Sequence, residues 1–136
     1  MEGCIVKCND KIIVFKDCGN NKCEMRFLNP NERTVEKIRV DGCAITEGKK
    51  CDFMLKTDTD EHYIEIKGKS VLYACEQIEE TIKKMSINSK TQVKNSFVVS
   101  TGTPIVTGNI QVLKNKFKLL YNSSLKIQTR QCQFAI

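Results

Sequence analysis

Asp52, Glu65 and Lys67 are the residues whose types and spacing could do chemistry together. They fall in CDFMLKTDTDEHYIEIK, residues 51–67. Two alternating runs, CDFMLK and HYIEIK, flank Thr57-Asp58-Thr59-Asp60, a polar cluster that reads as a hairpin turn. If Phe53, Leu55, Ile64 and Ile66 bury together, then Asp52, Glu65 and Lys67 emerge on the opposite face. Twelve residues separate the two acids. Two neighbouring carboxylates are costly unless a cation neutralises them. Hard oxygen ligands suit Mg²⁺ or Mn²⁺, and waters held by such ions can be activated. A lysine on the same face could orient an attacking water or stabilise charge growing on a phosphate. The same residues would also suit a solvated strand face carrying a cross-strand ion pair.

The neighbouring segments must position that hairpin. Residues 4–28 read as strands with turns, around Ile12-Ile13-Val14-Phe15 and Met25 to Leu28. Asn29-Pro30-Asn31-Glu32 has the chemistry of a helix start, and the pattern predicts a short helix with Val35 and Ile38 inward, ended by Asp41-Gly42. Cys43 to Thr46 reads as a strand and Glu47 to Lys50 as a turn. Val71, Cys75, Ile78, Ile82 and Met85 make one apolar stripe and predict a helix over about residues 70–86. Phe97-Val98-Val99 is the continuous apolar run of a strand covered on both faces. A second helix is predicted over about residues 109–121, and Leu125 and Ile127 mark a last strand.

On these residues the chain resembles the PD-(D/E)xK nuclease superfamily. Asp52, the twelve-residue spacer and Glu65-Ile66-Lys67 match its motif, and the wider phrase VDGCAITEGKKCDFML…YIEIKG…ACEQIEETI is similar to small bacterial members. Cys51 stands where the family name has Pro. The resemblance covers roughly residues 35–130. It implies an α/β (α+β) fold: a restriction-endonuclease-like core, with a mixed central sheet flanked by helices. The expected organisation is one domain over 1–136, with an N-terminal β-hairpin extension over 1–28 and a core over 29–130. It implies a metal-dependent nuclease acting on nucleic acid, DNA ahead of RNA, in phage defence, mobile elements or DNA repair. Asp52, Glu65 and the main-chain carbonyl of Ile66 would hold Mg²⁺ or Mn²⁺, and Lys67 would position the attacking water. An acidic residue of the first helix often joins such a site, which points to Glu36, with Glu32 behind it. Gln77 resembles a glutamine that contacts the metal water or the nucleic acid. Glu47 is a further acid near Asp52, better suited to its turn. The alternative is a catalytically silent nucleic-acid-binding or protein-interaction module with the same fold.

Composition bounds the rest. A chain of 136 residues can bury a core without staples. No apolar run reaches the ~18 residues of a membrane helix. The start, MEGCIVKCNDK, lacks a signal-peptide pattern, so the expected compartment is the cytoplasm, with no membrane association. The eight cysteines are then expected to be reduced thiols. Cys4, Cys8, Cys18 and Cys23 could hold Zn²⁺, but neither pair has the tight knuckle spacing, so zinc is the weaker reading. His62 is the only histidine, which removes the parts for histidine-metal nucleases and histidine-based triads. No GxxxxGK[ST] or GxGxxG loop is present. A net charge of +6 suits a polyanionic partner. Lys69, Lys114 and Lys118 are the candidate nucleic-acid contacts, the last two one helical turn apart. A homodimer or a larger defence complex is a further expectation for so small a nuclease.

Overall fold

The computed structural model describes residues 2–16, 23–66, 70–102 and 109–136. A short 3-10 turn, Glu2–Cys4, leads into β1 (Ile5–Cys8), followed by β2 (Ile12–Lys16), β3 (Glu24–Leu28) and β4 (Val35–Arg39). The predicted hairpin follows as β5 (Phe53–Lys56) and β6 (Glu61–Ile66). Then come α1 (Val71–Met85), β7 (Lys94–Ser100), α2 (Ile110–Tyr121), β8 (Ser123–Thr129) and β9 (Gln131–Ala135).

The fold is α+β. Six strands form a mixed sheet in the order β1-β4-β5-β6-β7-β8, antiparallel up to β6 and parallel from β6 to β8. A second sheet has the order β2-β3-β9. Helices do not flank the large sheet on both sides. Ala74, Ile78 and Ile82 of α1 and Phe117 and Tyr121 of α2 share one core with Met54, Tyr63 and Val98. The opposite face, with Leu55, Ile64, Ile66, Phe97 and Val99, packs on Ile13, Phe15, Met25 and Phe27 of the small sheet. β6 is therefore buried along its whole length. The expected N-terminal hairpin is β2–β3, but β1 leaves it to become the edge strand of the large sheet. Among the described residues no helix is long and apolar enough to cross a membrane.

Two segments differ from expectation. The chain after Asn29 is not a helix. Asn29 is buried, donates through Nδ2 to the carbonyls of Asp10 and Arg33, and accepts through Oδ1 from the Arg33 amide. Glu32 takes a left-handed conformation, φ 50°, and closes the turn with its amide on the Asn29 carbonyl. Val35 and Ile38, three apart, look like a helical stripe. In β4 they point to opposite faces, and each face is covered. A strand buried on both sides loses its alternation, and the β-branched run Thr34-Val35 with Ile38 and Val40 suits it. Residues 43–46 are not a strand either: they lie in a tight turn with one isolated bridge, Asp41 to Ile45, and Gly42 at φ 74°.

The cysteines also depart from the expected thiols. Cys4 and Cys43 form a disulfide, with Cα atoms 5.7 Å apart. Cys8 instead donates to Asp10, Cys23 lies buried against the Ser100 carbonyl, and Cys18 lies outside the described residues. Cys4 is thus committed to a partner outside the proposed zinc set.

Candidate active site

The register of the hairpin decides where the acids go. The ladder ends with Phe53 paired to Ile64; Asp52 lies one residue outside β5, its amide on the Ile64 carbonyl and its carboxyl hydrogen-bonded to that of Glu65. Glu65 projects to the face of Tyr63, the helix side of the sheet, and the Asp52 carboxyl meets it there. This is not a solvated face: Glu65 is only 7% exposed.

Asp52 is held from three sides. Its amide donates to the Ile64 carbonyl, and its carbonyl accepts from the amides of Val40 at 3.0 Å and Asp41 at 3.3 Å. Its carboxylate Oδ2 accepts the Ile66 amide at 2.8 Å. Helix α1 fixes the segment just before it. Gln77 donates to the Lys50 carbonyl at 3.1 Å, and the Cys51 amide donates to Thr81 Oγ1 at 2.8 Å. Thr81 in turn donates to the Gln77 carbonyl, so one turn of α1 grips the entry to β5.

Glu65 is the unsatisfied member. Its carboxyl hydrogen-bonds to that of Asp52, while Oε1 is buried and has no hydrogen-bond partner among the described residues. Burial first, and then the negative charge of Asp52, push it up to about 9; the charge of Asp41 adds to this. A buried carboxyl without a cation keeps its proton. The donor set is hard oxygen, and an orphaned carboxylate oxygen beside a second carboxylate is what a divalent cation would satisfy. The residues therefore fit Mg²⁺ or Mn²⁺. The contact that Ile66 makes here is through its amide, on the Asp52 carboxylate, rather than through the carbonyl expected to hold the ion.

The other sequence-derived candidates divide. Gln77 sits over the entry to Asp52. Lys67 and Lys69 lie outside the described residues. Glu36 does not join the acids. It pairs across to Lys56 and Lys7, four residues along the sheet from Asp52, about 13 Å at the usual rise per strand residue. The expectation for Glu36 rested on a first helix, and that segment is a strand. Glu32 occupies the turn described above, and Glu47 offers its carbonyl to Lys84. The acid that sequence reasoning missed is Asp41. It stands on the turn that caps Asp52, 3.9 Å from Lys50, and its charge reaches Glu65. Asp-Gly read as a helix stop, and nothing in its spacing marks it otherwise.

Lys114 and Lys118 line a groove of about 510 Å³ with Asn95, Asn122 and Ser124. Lys116 turns away to pair with Glu79 at 3.0 Å. The groove lies at the start of β7, where Lys94 pairs with Glu61. That is four residues along β6 from Glu65, the opposite end of the sheet. His62 is enclosed by Phe27, Phe97 and Phe134, with Nε2 3.3 Å from Asp60. No family model, curated protein or solved structure matches this chain.

Proposed function

We propose that this protein is a Mg²⁺- or Mn²⁺-dependent nuclease that hydrolyses phosphodiester bonds in nucleic acid, DNA ahead of RNA. The observation that carries the reading is the pairing of half-buried Asp52 with buried Glu65, whose Oε1 has no hydrogen-bond partner among the described residues. A meander β4-β5-β6, a helix crossing to the parallel strand β7, and acids at the adjoining ends of β5 and β6 support a restriction-endonuclease-like core. The strand in place of the first helix is a departure from that core. The cytoplasm is the compartment we propose.

Asp52 and Glu65 would hold the ion. Bound there, it would supply Lewis-acid stabilisation of the phosphate and a water of lowered pKa. The chain's own residues do the positioning. The Ile66 amide aims one Asp52 oxygen, and Gln77 and Thr81 keep the entry to β5 from moving. Releasing the Glu65 proton leaves an anionic pair that strongly favours a cation. Lys67 is assigned the water, on its place in the motif.

A cleavage assay on single- and double-stranded DNA and RNA tests this, run with Mg²⁺, Mn²⁺ and EDTA. Cutting should need the metal and vanish in Asp52→Asn and Glu65→Gln. Cutting that survives both changes would remove the site, and a wild type inert on every substrate would remove the enzyme.

A further inference from the structure

A second cavity lies close to the carboxyl pair on the other face of the sheet. It has a volume of about 410 Å³ and lies between the first turn, the β2 strand and the end of β4. Such a volume is within the ~300–1,000 Å³ of small-ligand sites. Phe15, Phe53, Val6 and Val14 give it an apolar interior, and Lys16, Lys37 and Arg39 give it a cationic rim. Phe53 is half-buried and stands 5.1 Å from Phe15, ring to ring. Lys37 is already committed: it donates to the Val14 carbonyl and lies 5.1 Å over the Phe15 ring. Lys16 and Arg39 are exposed, and neither has a salt bridge among the described residues.

The place of the cavity matters as much as its lining. Arg39 pairs across to Phe53, the residue that follows Asp52. The cavity wall therefore starts one residue from the carboxyl pair, at the same end of the sheet. The Lys114–Lys118 groove is at the other end and has no aromatic side chain in its lining. An aromatic interior with a cationic rim is what an unpaired base and its phosphate need, because stacking requires an exposed base face that a duplex keeps covered.

We propose that this cavity seats a nucleobase of single-stranded nucleic acid against Phe53, with Lys16 and Arg39 on the adjoining phosphates. The strand then continues over the sheet end to Asp52 and Glu65; for that continuation the inference rests on the nuclease reading. It narrows the substrate to a single strand, or to a duplex end or junction with an unpaired base.

Binding of a fluorescent oligothymidylate, measured in EDTA so that nothing turns over, tests it beside a duplex of equal length. Two variants report separately. Lys16→Gln with Arg39→Gln removes the two exposed cations of the rim. Gly3→Phe sets a bulky ring on the cavity lining and leaves every charge in place; a Cβ at Gly3 meets nothing within 4 Å. Circular dichroism confirms that each variant is folded. Gly3→Phe should weaken single-strand binding by about tenfold or more, the loss of one stacked base, and leave duplex binding nearly unchanged, while the charge variant should weaken single-strand binding and flatten its salt dependence. Single-strand binding unaffected by Gly3→Phe overturns the cavity, even if the charge variant weakens, because surface charge alone would explain that. A wild type that prefers the duplex overturns it as well. Failure of the nuclease reading looks different: cavity-dependent binding with no metal-dependent cleavage under any condition.

Discussion

Glu61 and Glu65 stand four residues apart on one strand, on one face, and both are buried, at 1% and 7% exposure. Their surroundings are opposite. Glu61 accepts from Tyr63 Oη at 2.9 Å, Ser86 Oγ at 2.6 Å and the Ile87 amide at 3.0 Å. The charge of Lys94 lies nearby, and that lysine itself donates to four carbonyls, of Asn88, Ser89, Gln92 and Tyr121. Glu65 faces two further acids and leaves one oxygen without a partner among the described residues. A buried carboxylate met by donors holds the fold together. One left unmet keeps its proton or takes a cation, and such a group marks a place for chemistry.

The largest effect should come from breaking the satisfied end. Glu61→Ala strands three donors and leaves Lys94 without its acid, so urea unfolding should show a loss on the order of 3–5 kcal/mol. A loss under 1 kcal/mol would mean that the network is ornamental and that the two glutamates do not differ in kind.

The Glu65 end is tied covalently. Cys4–Cys43 anchors the turn that carries Asp41, across a separation of 39 residues. Reduction, or Cys4→Ser, should lower stability by about 3–4 kcal/mol in the loop-closure account. Thermal melts with and without dithiothreitol check this. The reductant should shift the wild type and leave Cys4→Ser where it is.

Glu65→Gln should act the other way from Glu61→Ala. The folded pKa of Glu65, near 9, lies above the ordinary carboxyl value of about 4.3. Above pH 4.3 the unfolded chain releases a proton that the folded chain retains. The contribution of Glu65 is therefore fully present below that pH and is lost as pH rises through the folded value. In EDTA at pH 8 the Gln variant should exceed wild type by roughly 1–3 kcal/mol, and the gap should close by pH 4. Mn²⁺ should raise the wild-type melting temperature and leave Glu65→Gln unmoved. A gap that does not change with pH would place Glu65 in contact with solvent.

The smallest effect on stability belongs to Lys114→Glu with Lys118→Glu. These are exposed positions, and the change should stay within about 0.5 kcal/mol. Nucleic-acid affinity measured against salt separates two roles for this groove. A flatter slope would make it a phosphate contact at the Glu61 end. An identical slope would confine nucleic-acid contact to the Glu65 end.

Local pattern was sufficient wherever one rule governed a segment. The β5–β6 hairpin was legible from alternation around Thr57 to Asp60, and α1 from an apolar stripe interrupted by nothing. The continuous run at Phe97 to Val99 announced a strand covered on both faces, and α2 was legible from Ile110, Leu113, Phe117 and Leu120 at helical spacing, although Leu120 is exposed and Tyr121 is buried instead. The meeting of Asp52 and Glu65 followed from the pairing of the hairpin that carries them, although Asp52 itself lies one residue outside β5. Tertiary structure decided what periodicity leaves degenerate. Val35 and Ile38 fit a helix or a doubly buried strand equally well, and only the presence of covers on both faces chose the strand. The Cys4–Cys43 pairing depends on β1 returning beside β4, a contact between distant segments that carries no local sign. The same holds for the carboxyls. Their residue types name the chemistry they could do, but whether a buried acid is met by donors or left open depends on which chain segments arrive around it, and that is a property of the assembled fold.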